Sequence, residues 1–347
     1  MEKIITSVVG FGLSGRYFFS PFIDYNPLYK LHSIVTSQNE TVNQEYPDAL
    51  VFNSIDEVVS NRDIRLVVLA SPNFTHFDYA CKALLAGKHV IVEKPFTVAV
   101  KEAEQLINLA SKRKLILAPF QNRRWDGDFL TVKKIIEEQE LGEILYFESH
   151  LDRYRPGLDR VKWKNDQRPG NGILYDLGPH LIDQALYLFG MPKEIFAHIG
   201  INRINAKTDD FFDLQLYYKE LKVVLKASMM VREQGPRFVV HGRKGSFVKH
   251  GVDPQEMNLR TGMKPSDKLL GTDKKENYGL LHTEKNEKTV RKKIETINGD
   301  YDQYFQNVAS ALRRNQQLAV TPIDGLNIIH IIEKAYESNR LKTVVKT

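Results

Sequence analysis

The chain has a single cysteine, Cys81, among 347 residues. That excludes an internal disulfide and leaves a reducing, cytoplasmic compartment as the expected setting. No apolar run approaches the ~18 residues that span a bilayer, so no membrane segment is expected. The opening Met1-Glu2-Lys3-Ile4-Ile5 lacks the basic, apolar and small-residue zones of a signal peptide and passes directly into strand-like sequence. There is no internal repeat. Nor is there a concentrated basic stretch: the formal net charge of +6 is dispersed, and the densest run, Arg291-Lys292-Lys293, reads as solvated surface. A small-molecule substrate is therefore expected, with no nucleic-acid or membrane partner and no metal.

What is present is ordinary for a globular protein, 42% apolar and 27% charged. The length exceeds the roughly 250 to 300 residues at which one hydrophobic core stops growing, so two domains are expected. Up to Phe120, strand-like runs (Ile5-Val9, Leu31-Thr36, Leu50-Phe52, Leu66-Ala70, His89-Val92, Leu115-Pro119) alternate with helical stretches such as His76-Ala86 and Val100-Lys112. That alternation predicts an α/β domain over 1–120, a doubly wound parallel Rossmann sheet. Residues 121–347 read differently: a helix over Phe129-Glu138, another from about Leu177 to Phe189, then successive strands without crossovers. This predicts an α+β domain built on a largely antiparallel open sheet. The stretch from Asp253 to Asp300 reads as long loops or a hairpin excursion, and helices over Tyr301-Arg314 and Ile323-Ser338 finish the chain.

Gly10, Gly12 and Gly15 follow an apolar strand and open a helix, the context in which such spacing binds a dinucleotide. Gly10 permits a tight turn, Gly12 lets the backbone approach a pyrophosphate, and Gly15 allows close helix-strand packing; Leu13, Ser14 and Arg16 lie in the same turn. An NAD site normally places an acid at the end of the second strand, to bind the ribose hydroxyls. Here Thr36 and Ser37 stand there, with no acid before Glu40. Hydroxyls do not repel a 2′-phosphate and Arg16 adds positive charge, so NADP is preferred, with NAD as the alternative.

Ser71, Pro72, Asn73 and His76 close the fourth strand, either as a turn with Thr75 capping the next helix or as a loop against the cofactor's ribose and nicotinamide. Glu93 and Lys94 follow the fifth strand, at the edge where open parallel sheets bind ligands. Lys94 is a surface lysine held by Pro95, or it stabilises charge on a substrate oxygen as a carbonyl becomes an alkoxide. Asp176 and His180 are four apart and share a helix face. Histidine, with an unperturbed pKa of about 6.5, suits transfer of a hydroxyl proton. Equally, Asp176 stands where a helix N-cap would, and His180 has Asp183 as a structural partner.

Taken together, the glycine loop, Ser71-Pro72-Asn73 to His76, Ala86-Gly87-Lys88-His89-Val90 to Glu93-Lys94-Pro95, and Tyr175-Asp176-Leu177-Gly178-Pro179-His180-Leu181-Ile182-Asp183 resemble the glucose-fructose oxidoreductase/inositol dehydrogenase (Gfo/Idh/MocA) family. Gln121 to Asp126, Arg153-Tyr154-Arg155-Pro156 and Val240-His241-Gly242 resemble its branch of NADP-dependent scyllo-inositol dehydrogenases. The resemblance implies a Rossmann domain and an α+β domain whose open sheet forms a homodimer or homotetramer. It implies that Lys94, Asp176 and His180 are the catalytic set, moving a hydride between nicotinamide and a secondary alcohol or ketone of a cyclitol or sugar. Asn122, Arg123, Tyr154 and Trp163 are the candidate substrate contacts, or else they anchor loops, with Arg124 paired to Asp126 or Asp128. Alternative readings are a non-catalytic dinucleotide-binding sensor and a reductase of another carbonyl or unsaturated substrate.

Overall fold

The strands of the first 120 residues are short, rich in Val and Ile, and covered on both faces. Leu66–Leu69 is buried at every position and His89–Val92 at all but its first. Such strands belong in a parallel sheet with helices above and below. The computed structural model, which describes residues 2–159 and 161–347, has this layout. Strands β1 (Ile4–Val9), β2 (Tyr29–Val35), β3 (Leu50–Phe52), β4 (Leu66–Leu69), β5 (His89–Val92) and β6 (Leu117–Pro119) form a parallel sheet in the order β3-β2-β1-β4-β5-β6. Helices α1 (Ser20–Tyr25), α2 (Asn39–Glu45), α3 (Ile55–Ser60), α4 (His76–Leu85) and α5 (Val100–Arg113) lie between the strands along the chain. Strand order reverses between β1 and β4, and the crevice outside the strands' carboxyl ends at such a point is where open α/β sheets bind ligands. Val67, Leu69, Val90 and Val92 are fully buried beneath it, each worth about 1.5–3 kcal/mol relative to exposure.

The remaining elements are α6 (Gly127–Glu137), β7 (Ile144–His150), α7 (Ile173–Asp176), α8 (Gly178–Phe189), β8 (Glu194–Gly200), β9 (Phe211–Tyr217), β10 (Lys222–Ser228), β11 (Phe238–Gly242), β12 (Gly245–Lys249), α9 (Gln255–Arg260), β13 (Gly279–Lys285), β14 (Lys288–Ile294), α10 (Asp302–Arg314), α11 (Pro322–Leu341) and β15 (Val345–Lys346). Nine strands make a second sheet, β14-β13-β12-β11-β7-β10-β9-β8-β15. Its neighbours are antiparallel except β7 with β10. Strand β9 shows how its faces divide: Phe212, Leu214 and Leu216 are buried while their neighbours are half-exposed. Helices α7 and α8 contact β10 on the covered side.

The stretch expected as loops or a hairpin contains α9 and the β13–β14 hairpin. The hairpin turns on Asn286 and Glu287, at φ 52° and 59°, the left-handed pair that matches the twist of a two-residue turn. Compact units also differ from a single cut at residue 120. One comprises residues 1–122, 255–270 and 300–329, and the other residues 123–254, 271–299 and 330–347. Segment 300–329 is bonded within the first unit: Tyr304 Oη donates to the carbonyls of Ala118 and Pro119, and Tyr29 Oη to that of Phe305. Among the described residues no helix is long and apolar enough to cross a membrane.

Candidate functional site

In the first unit, the turn after β1 is shaped by two of its glycines. Gly10 sits at φ +103°, where a Cβ would fall 2.6 Å from the Ala70 carbonyl oxygen. A Cβ on Gly15 would lie 1.9 Å from the Gly10 carbonyl oxygen. Both glycines are demanded by the fold. Gly12 is not: its φ is unexceptional, and a Cβ there meets nothing within 4 Å. The open space at Gly12 fits a group brought from outside, which is what a dinucleotide pyrophosphate requires of this position. The helix begins with one wide turn, Gly15–Phe19, before α1. Pro21 lacks the N–H that would close an ordinary turn onto Tyr17.

Thr36 and Ser37 follow β2, which pairs with β1 through Val9 and Val35. The Thr36 hydroxyl accepts from the Gln38 N–H at 3.1 Å, and the Gln38 amide donates to the Phe11 carbonyl at 3.0 Å, so this turn is clamped to the glycine turn. Ser37 is exposed. Arg16, expected to supply free positive charge here, is engaged: its guanidinium grips both carboxylate oxygens of Glu45, the last residue of α2.

The loop after β4 is internally bonded. Thr75 Oγ1 donates to the Pro72 carbonyl at 2.7 Å, so the 2.6 Å contact between Ser71 and Thr75 has Ser71 as donor. Thr75 makes no side-chain cap on α4, contrary to the capping role expected of it, because its hydroxyl points back to Pro72. His76 is 1% exposed. Its Nδ1 lies 2.9 Å from the Pro95 carbonyl oxygen and its Nε2 3.0 Å from that of Ser71. Burial, and secondarily the Lys94 ammonium, push its pKa down, against the pull of the two carbonyls. Glu93 is buried and its N–H donates to Leu69 at 2.9 Å, the last rung between β4 and β5. Lys94 is half-buried and its bond to Pro95 is cis. The candidate cofactor residues and Lys94 thus lie at the carboxyl ends of four adjacent strands, β2, β1, β4 and β5.

In the second unit, Asp176 ends α7 and His180 lies in the first turn of α8, with Leu177 between the two helices. Asp176 is therefore not an N-cap; the residue before α8 is Leu177, which has no side-chain acceptor to offer. The start of α7 is set by Asp209. Gly172, at φ +100°, leaves room for that carboxylate, which a Cβ would meet at 2.2 Å. Asp209 accepts from the Leu174 N–H at 2.9 Å and the Tyr336 hydroxyl at 2.8 Å. His180 is 6% exposed, and the helix that carries it is pinned on the same face. Asp183 receives two bonds from Arg124, at 2.8 and 2.6 Å, and Gln184 bonds to the Arg123 carbonyl and to Arg237.

Asp183 thus serves Arg124. Arg124 pairs with Asp183, Asp126 pairs with Arg123 at 2.9 Å, and Asp128 lies 3.3 Å from Arg237. Sequence reasoning missed Asp209, Gln184 and Arg237, which have no local signature. Among the other nominees, Asn122 and Arg123 are buried, and Tyr154 is 40% exposed with Arg232 4.0 Å from its ring centre. Trp163 is half-buried and its carbonyl accepts from Asn171 at 2.6 Å. No group of three or more His, Cys, Asp or Glu among the described residues is arranged to hold a metal.

Comparison with known proteins agrees with this layout. Residues 4–120 match the description "Oxidoreductase family, NAD-binding Rossmann fold" and residues 133–347 "Oxidoreductase family, C-terminal alpha/beta domain". The chain is 39% identical to scyllo-inositol 2-dehydrogenase (NADP(+)) IolW of Bacillus subtilis, over 99% of this chain and 96% of that one. It is 37% identical to the uncharacterized oxidoreductase YdgJ of Escherichia coli, over 97% and 96%. Among solved structures, the yvaA protein of Bacillus subtilis superposes with a TM-score of 0.95 at 38% identity, covering 100% and 99% of the two chains. An oxidoreductase from Bacillus cereus does so at 0.92 and 32%, covering 99% of each. With both halves matched and relatives aligned along almost its whole length, the chain belongs to the Gfo/Idh/MocA family of oxidoreductases, with an NAD(P)-binding Rossmann domain.

Proposed function

We propose that the protein is an NADP-preferring dehydrogenase that moves a hydride between nicotinamide and a secondary alcohol or ketone of a cyclitol or sugar. The observation that carries this reading is the full-length relation to an enzyme named for that chemistry, in a chain that has Lys94, Asp176 and His180. The nicotinamide, when bound, takes or gives the hydride. His180 exchanges the hydroxyl proton, Asp176 orients His180 or holds the substrate, and Lys94 steadies negative charge on the reacting oxygen. The backbone of Gly10, Gly12, Leu13, Ser14 and Gly15 receives the pyrophosphate, Thr36 and Ser37 the adenosine ribose, and Ser71, Pro72, Asn73 and Glu93 the nicotinamide side. Arg123, buried against Asp126, fits a role in shaping its turn, whereas Asn122, Tyr154 and Trp163 are proposed to meet the substrate.

The preference for NADP rests on hydroxyls where an acid would exclude the 2′-phosphate, with Arg16 near the glycine turn. Glu45 qualifies it, because Arg16 must leave this partner to reach a phosphate. The single cysteine supports a cytoplasmic setting. The half-exposed face of the second sheet, with Tyr146, Phe211 and Tyr217 on it, supports a homodimer or homotetramer, and light scattering that returns the monomer mass refutes this.

The test is an NADP⁺ reduction screen across inositols and aldoses, with His180→Ala as control. Turnover with a cyclitol or sugar, falling by ~100-fold or more in the variant, is expected. No turnover with any of them overturns the substrate class, and an unchanged rate in the variant removes His180 from the chemistry.

A further inference from the structure

We infer that His76 is a positioning residue for Lys94: its imidazole ties the backbone just beyond Lys94 to the loop that follows β4. This rests on the proposed catalytic role of Lys94. The sheet ladder between β4 and β5 runs from Leu66–His89 to Leu69–Val92 and ends with the Glu93 N–H on the Leu69 carbonyl. Beyond that rung the chain places prolines at 72 and 95, which carry no N–H, so the two segments cannot continue the ladder. Their carbonyls, from Ser71 and Pro95, are met instead by the two nitrogens of one ring, at 3.0 and 2.9 Å. The ring is 1% exposed and is the first residue of α4, so it is anchored to a helix while it spans two loops.

The same geometry argues against His76 as a cofactor ligand, the role the sequence suggested. Each ring nitrogen already faces a backbone carbonyl, and the side chain is inside the fold. A neutral imidazole has one N–H and satisfies one carbonyl at a time. Burial and the neighbouring Lys94 ammonium both disfavour the cation. The contact is thus a directional strut with one strong arm, and a side chain able to donate one hydrogen bond from the same place can replace part of it.

The experiment uses the full-length protein, with NADPH as the probe of binding and NADP⁺ with scyllo-inositol as the probes of turnover. His76→Phe keeps an aromatic ring and removes both nitrogens; His76→Asn keeps a donor. For His76→Phe, the expected result is faster amide exchange over residues 93–97 with α5 unchanged. NADPH affinity should stay within about threefold, and kcat should fall by ten- to a hundredfold, the scale of a misplacement of about 1 Å. His76→Asn should recover part of kcat, and it carries the test if His76→Phe does not fold. Unchanged exchange and unchanged kcat overturn the inference. So does a loss of NADPH affinity equal to the loss in kcat, which makes His76 a cofactor contact. Lys94→Met separates the two claims: full activity in that variant sinks the catalytic reading, while the exchange measurement still decides whether His76 holds the segment.

Discussion

If the enzyme recognises NADP through Arg16, the Glu45 carboxylate sets how well it does so, and the size of the effect follows from exposure. The two side chains are 37% and 32% exposed, so water screens the pair and it contributes at most about 1 kcal/mol. Since 1.4 kcal/mol is tenfold in an equilibrium constant, releasing Arg16 is worth at most roughly fivefold. Glu45→Gln should therefore tighten NADPH binding by about two- to fivefold and leave NADH within a factor of about two. A guanidinium bonded to a charged group is worth about 1.5–3 kcal/mol, and at this exposure the lower end applies, so Arg16→Ala should weaken NADPH about tenfold and spare NADH. Fluorescence titration of both nucleotides measures this directly. The gap between them should narrow as salt rises, because the Debye length falls from ~30 Å at 0.01 M to ~3 Å at 1 M. Equal losses for NADPH and NADH in Arg16→Ala refute the reading of Arg16 as a 2′-phosphate contact. Selective weakening of NADH in Glu45→Gln reverses it, making Glu45 the acceptor of ribose hydroxyls.

Two further outcomes follow from charges in the second unit. The Arg124–Asp183 pair is almost fully buried, at 6% and 3% exposure, so Asp183→Leu strands a buried cation and should cost about 3–5 kcal/mol in urea unfolding. Arg124→Met with Asp183→Leu should recover most of that, and equal losses in the single and double variants refute the account. His150 bridges Asp152 at 3.0 Å and Glu148 at 2.6 Å. Burial alone lowers its pKa, but the hydrogen bonds to the two carboxylates outweigh it and the net shift is upward. Its stabilising contribution is then complete below the unfolded value near 6.5 and disappears as pH rises through the folded one. Denaturant midpoints should drop as pH rises above about 6.5 in the native protein and not in His150→Gln; a parallel drop in both removes His150 as the cause.

The parts of the fold that were legible in the sequence are those fixed by short-range signals. The apolar runs Leu66–Leu69 of β4 and Val90-Ile91-Val92 of β5 declare strands buried on both faces, and alternation along β9 declares a sheet with one open face, because side-chain direction repeats every two residues. The β13–β14 hairpin carries no clear strand signal, because Lys288–Ile294 is Lys-rich and mostly exposed, and its pairing is set by a two-residue left-handed turn. At the candidate site, residue types were legible and their partners were not. Arg123 and Arg124 stand beside Asp126 and Asp128, so proximity in sequence favours local pairs. Arg123 does take Asp126, whereas Arg124 reaches further: an interior guanidinium needs a partner matched to its fork, and Asp183, 59 positions away, presents both oxygens to it. Asp176 reads as a cap because a helix follows it. It in fact ends a preceding helix, α7, whose own acceptor comes from Asp209, remote in sequence. His76 fits the same rule, being five residues from one of the carbonyls it meets and 19 from the other. Where a polar group is buried, the cost of leaving it unmatched selects its partner from the whole chain, and a sequence read through its local signals shows the group but not the choice.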